Sequence, residues 1–202
     1  MNKYLLIFLM AFILTAVSAG TGKKRFSFVG IDNCKTCHSS EGGLDQYERW
    51  LSSPHAKAFR ELKTEKAKKI AARIGVEKPW DDNRCLRCHT TGRGKNQKTR
   101  TEGVSCEACH GPGSSYYRVE GHVDFRDRRR GYLVARKNGM YPILDYEDNL
   151  IKREKLCRFC HNKKRPCMPG KKEEIQRQIL TIQVIDTLKK GDLNFSHPLR
   201  KY

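Results

Sequence analysis

The apolar positions of this chain fall into one leading block and several helical stripes. The block comes first: from Tyr4 to Ala19 no residue is charged, and a single positive residue, Lys3, precedes it. Further on, Phe59, Leu62, Ile70 and Ile74 recur at helical spacing with Lys and Arg between them, which predicts one amphipathic helix from Pro54 to Ile74. Ser53 before Pro54 supplies an N-cap followed by proline at the first helical position, and Gly75 supplies the stop. A shorter helix is predicted just before it, from Leu44 to Leu51. Near the C-terminus Ile175, Ile179, Ile182 and Leu188 describe a further amphipathic helix over 172–190, closed by Gly191. The segment from Thr90 to Thr101 has no apolar period, two glycines and several cations, and is predicted to be a solvated loop.

The leading block ends at Val17-Ser18-Ala19, small residues that suit a signal peptidase, so residues 1–19 are read as an export signal. The uncharged run continues through Gly20, Thr21 and Gly22, which keeps an uncleaved membrane anchor open as the alternative. On either reading the body of the chain lies outside the cytoplasm, in the periplasm or beyond. Residues 20–202 contain no Pro/Ser/Gly-rich linker and are taken as one domain. Only 38% of the residues are apolar, and part of that supply sits in the leading block, so side chains alone make a thin core.

Composition changes this picture through the cysteines. Eight of the nine fall into four copies of one motif, C-x-x-C-H: Cys34, Cys37 and His38; Cys85, Cys88 and His89; Cys106, Cys109 and His110; Cys157, Cys160 and His161. Two cysteines one helical turn apart can each bond a vinyl-derived carbon of one porphyrin, while the histidine that follows reaches the iron from the same side. Zinc knuckles and a disulfide framework also use paired cysteines, but neither requires a histidine directly after every pair. The motifs therefore predict four covalently bound haem c groups. Four porphyrins would supply the missing core, and a chain without them is expected to be largely unfolded.

Of seven histidines, four are committed to these anchors, leaving His55, His122 and His197 as second axial ligands for four irons. His55 falls in the first turn of the predicted helix, where the positive helix end favours the neutral imidazole. His197 precedes Pro198, which pushes it toward an extended strap. The fourth iron is then open or bound by something else, with Met140, Met168, a lysine and water as the candidates; methionine ligation would raise its potential. Cys167, the ninth thiol, is read as a free cysteine, with an intermolecular disulfide or haem ligation as alternatives.

The chain resembles the cytochrome c-554 family of tetrahaem cytochromes. The resemblance rests on the first anchor, Trp50 followed by His55-Ala56-Lys57-Ala58, Cys85 to Gly92, the string Gly103 to Gly113, His122 and the fourth anchor. It implies a mainly α, haem-packed multihaem cytochrome domain with little or no sheet. It also implies three bis-histidine irons and a five-coordinate haem on the second anchor, with His89 as that iron's sole protein ligand. His122, His197 and His55 are then read as the partners of the first, third and fourth haems.

The implied role is electron transfer between redox partners. The alternative is an enzyme that reduces or oxidises a small nitrogen species such as nitric oxide at the open haem. The count leaves no histidine over as a distal acid there, so a proton donor would have to be Tyr, Lys, Arg or a carboxylate. Charge narrows the partners: 41 Lys and Arg against 22 Asp and Glu give +19, which suits an acidic protein or a membrane surface. Nucleic acid is excluded as a partner by export and by the lack of a recognition motif. Arg126-Asp127-Arg128-Arg129-Arg130 is read as a solvated face, with a docking patch or propionate pairing as the other readings.

Overall fold

A computed structural model describes residues 24–41, 45–124, 126–142 and 149–162. The leader, the predicted helix over 172–190, Cys167, Met168 and His197 lie outside these residues. Every regular element among the described residues is helical, so the mainly α class holds.

Four of the helices carry the anchors. They are α1 (Asp32–His38), α5 (Asn83–His89), α6 (Cys106–His110) and α8 (Asn149–Cys160). In the first three the histidine is the last helical residue, and the next residue leaves the helix: Ser39 and Thr90 are extended, and Gly111 has φ +87°. The helical turn that puts both cysteines on one side of the chain thus stops as soon as the imidazole is placed. At Gly111 a side chain is excluded twice over, by the positive φ and because a Cβ would lie 2.7 Å from the Gly139 carbonyl oxygen.

The remaining helices are α2 (Gln46–Ser52), α3 (Pro54–Glu61), α4 (Glu65–Ala72) and α7 (Arg128–Lys137). The single helix predicted from Pro54 to Ile74 is therefore two. Thr64 breaks it: its backbone is extended and its hydroxyl accepts from the Ala67 N–H at 3.2 Å, a helix N-cap in the middle of an unbroken apolar stripe. Apolar periodicity carried across the break because Leu62, buried in the connection, belongs to the same core as Phe59. Gly75, at φ +66°, terminates α4 as expected, and the Val76 N–H returns to the Ala71 carbonyl.

The core is small. Phe59, Leu62 and Leu86 form it, with Trp80 and Cys85 packed against them. Leu86 lies inside the second C-x-x-C-H motif, so one helix carries both that motif and part of the core.

The segment 90–101 departs furthest from expectation. Instead of a solvated loop it forms two 3-10 turns, Thr91–Gly94 and Gln97–Thr99, and Thr90, Thr91 and Thr99 are buried. Thr91 Oγ1 accepts from the Ser105 N–H at 2.7 Å and also bonds Ser105 Oγ at 2.8 Å, while Thr99 Oγ1 donates to the Thr91 carbonyl at 2.9 Å. Polar side chains bury here because backbone groups satisfy them. Burial of that kind leaves no apolar period to read.

Candidate haem sites

The string that leads into the third anchor is the hub of the site. The Val104 N–H donates to the carbonyl of His55 at 2.9 Å, and Trp50 Nε1 donates to the carbonyl of Val104 at 2.8 Å. Gly103 permits this approach: at φ +77°, a Cβ there would lie 2.6 Å from the His55 oxygen and 2.8 Å from that of Ala56. Loop 103–104 therefore fixes the first turn of α3, and with it His55. Farther along α3, the Ala58 carbonyl accepts from His89 Nδ1 at 2.8 Å. One short helix thus sets the position of His55 and the orientation of His89.

Two carboxylates, Glu107 buried and Glu102 half-buried, bind the N-terminal strap to the same hub. Glu107, between the two cysteines of the third anchor, is 1% exposed. It accepts from the Val29 N–H at 3.0 and 3.1 Å, from Gly30 at 2.8 Å and from Gly113 at 2.6 Å. Glu102 accepts from the Ile31 N–H and from Ser105 Oγ, each at 2.9 Å. Burial pushes the Glu102 carboxyl above the ordinary range, partly opposed by those two bonds. The strap runs straight into α1, and the first and third anchors meet as a result. A hydrogen bond from Cys34 to Cys106, then burial, then the carboxylates of Glu107 and Glu102 push the Cys34 thiol up. Neither carboxylate is signalled in the sequence, since Glu107 occupies a variable position of its motif.

The histidines come together in pairs. His38 and His122 have ring centroids 6.1 Å apart with planes inclined at 35°, and His55 and His161 lie 5.9 Å apart at 81°. These distances test whether haem iron fits. An imidazole nitrogen binds a metal at about 2.0–2.1 Å, so two rings on opposite sides of one iron have centroids roughly 6 Å apart. Both pairs meet that spacing, and the residues present fit the group.

The second ring nitrogens agree. His122 Nδ1 donates to the Arg118 carbonyl at 2.9 Å as His89 Nδ1 does to Ala58, which turns each Nε2 toward the ligating side. Burial, and then the nearby His122, lowers the pKa of His38. Burial likewise lowers that of His55, which stands in the first turn of α3 as expected. Lowered values keep both rings neutral and able to bind metal.

His110 ends α6, and its carbonyl accepts from the Tyr141 N–H at 2.9 Å, which brings the segment after α7, Met140 included, to the third anchor. The second and fourth anchors also touch. Arg93 lies 4.0 Å and Arg87 5.3 Å from the centre of the Phe159 ring, which stands between Cys157 and Cys160. Arg93 adopts a left-handed backbone, φ +59°, to do so. Among the described residues no three His, Cys, Asp or Glu side chains gather as a zinc cage would require, and the eight anchor cysteines form no disulfides.

Residues 33–111 match the family described as cytochrome c554 and c-prime. This region belongs to the cytochrome c-554 family. Cytochrome c-554 of Nitrosomonas europaea is 33% identical over 144 residues, which cover 66% of this chain and 57% of that relative. The chain thus spans little more than half the length of the relative. No solved structure matches it. Membership of a c-type cytochrome family implies covalently bound haem c.

Proposed function

We propose that the protein is an exported tetrahaem c-type cytochrome that carries electrons between redox partners. The observation that carries this reading is the pair of facing imidazoles, His38 with His122 and His55 with His161, each at the separation one iron fills. Bound haem supplies a reversible one-electron iron couple. His38 with His122, and His55 with His161, would each hold one haem iron between them, so that these two sites would exchange electrons without admitting a substrate. The Arg118 carbonyl holds the His122 ring in one orientation through an electron's arrival and departure.

A second reading keeps the His89 site for chemistry on a small nitrogen species such as nitric oxide. With His55 and His122 engaged elsewhere, His197 alone remains for two anchors, those of His89 and His110. Assigning His197 to the third anchor leaves His89, oriented by Ala58, as the single protein ligand of an open iron.

Intact mass and electron paramagnetic resonance of the ferric holoprotein test both readings. The mass should exceed that of the polypeptide by four haems that survive acid acetone. The spectrum should hold one high-spin signal and three low-spin ones. The His55–His161 site, with its planes near perpendicular, should give the more anisotropic low-spin signal and the His38–His122 site a rhombic one. Four low-spin signals would remove the open site and the enzyme reading with it. Fewer than four covalent haems would sink the tetrahaem reading.

A further inference from the structure

Helix α7 has two faces. Gly131, Tyr132 and Ala135 are buried, while Arg129, Arg130, Leu133, Val134 and Lys137 point outward, with Leu133 51% and Val134 36% exposed. Two large apolar side chains thus stand in the middle of an exposed stripe with cations in the turns on either side. The sequence around it, residues 117–137, holds seven Lys and Arg against three Asp and Glu.

The buried face rests on the loop that carries His122. A Cβ on Gly131 would lie 2.7 Å from the Asp124 nitrogen and 3.1 Å from the His122 oxygen, so the helix lies flush on that backbone. Asn138 Nδ2 donates to the Gly121 carbonyl at 3.3 Å and fixes the other end. The outer stripe is therefore one helix thickness, about 10–12 Å, from the backbone of His122, the residue whose imidazole faces His38.

We propose that the outer face of α7 is the docking surface for an acidic redox protein, and that the haem held between His38 and His122 is the one that exchanges electrons across it. This rests on the electron-carrier reading. An apolar centre inside a ring of cations suits a short-lived complex: the charges steer encounter and orient the partner, and the small dry patch permits release. A membrane surface fits less well, because ten residues with two exposed large apolar side chains bury too little area in a bilayer interface.

The test is flash-photolysis reduction of the ferric holoprotein by two probes: the semiquinone of flavodoxin, an acidic flavoprotein, and that of lumiflavin, a small neutral flavin. Arg130→Glu with Lys137→Glu should slow the flavodoxin reaction by about tenfold or more at low salt and leave the lumiflavin reaction unchanged. The same charge change on α4, Lys66→Glu with Lys69→Glu, should alter the flavodoxin rate by less than about twofold. Leu133→Ser, which carries no charge change, should also slow flavodoxin alone.

If both double variants slow flavodoxin equally, only net charge acts and the docking surface is overturned. It is equally overturned if vesicles of anionic lipid bind the wild-type holoprotein and lose it on the Arg130→Glu, Lys137→Glu change. Failure of lumiflavin to reduce any haem would instead sink the electron-carrier reading itself.

Discussion

Glu107 carries a prediction that separates charge from shape. Its carboxylate takes four hydrogen bonds from three backbone N–H groups, and those of Gly30 and Gly113 are buried. Replacing Glu107 by Ala leaves two buried donors without partners, at about 1–3 kcal/mol each, while water can reach the part-buried Val29 N–H; the expected loss is about 4 kcal/mol. Set against a total stability of roughly 5–15 kcal/mol for a domain, that is a large fraction.

The informative variant is Glu107→Gln, which keeps the shape. Its single oxygen can serve either the Oε1 side, where Gly113 and Val29 donate, or the Oε2 side, where Gly30 and Val29 donate. Its NH2 then confronts an N–H at the other position, where the carboxylate oxygen now sits at 2.8 or 2.6 Å. One buried donor is lost and charge assistance disappears, so we expect about 2–4 kcal/mol. Urea unfolding of the holoprotein followed by Soret circular dichroism measures it as a lower midpoint at constant m-value. A Gln variant within about 0.5 kcal/mol of wild type, beside a strongly destabilised Ala variant, would refute the reasoning and show that the cleft needs only to be filled.

The half-buried carboxylate of Glu102 should respond the opposite way. In Glu102→Gln the amide oxygen still accepts from Ile31 and the NH2 can donate to Ser105 Oγ, so neutral-pH stability should hold or rise. Because burial raises the folded pKa of Glu102, the folded chain binds the proton more tightly than the unfolded one; stability should fall as pH rises from the ordinary carboxyl pKa through that raised value, then level off, and the Gln variant should lack this slope. Gly103→Ala places a Cβ 2.6 Å from the His55 oxygen at a positive φ and should cost about 2–4 kcal/mol while altering the low-spin signal of the His55–His161 site, read by paramagnetic resonance. His55→Met should raise the potential of that one haem in a spectroelectrochemical titration and leave the high-spin signal unchanged.

The sequence by itself determined the chemistry. C-x-x-C-H needs five adjacent residues and one helical turn, so four copies of the motif were legible without any knowledge of the fold. The start of α3 was equally local, with Ser53 and Pro54 writing its cap. Where a side-chain cap starts a helix against the apolar or charge pattern, that pattern gave no warning. Thr64 splits a helix whose apolar stripe runs on through it, and α7 begins inside a run of arginines because Asp127 caps it and Tyr132 and Ala135 find a buried side.

A count of histidines did not decide which imidazole meets which: the family resemblance implied the pairs, and the tertiary structure brings His38 to His122 and His55 to His161. His38 and His122 are 84 residues apart and His55 and His161 are 106 apart, so a count of histidines fixes how many pairs can form and not their membership. That choice is made by contacts of high sequence separation. Glu107 holds residues 29–30 to the third anchor, and Val104 holds His55. The first is a side-chain carboxylate taking backbone N–H groups and the second a backbone bond, and only this packing brings either pair together.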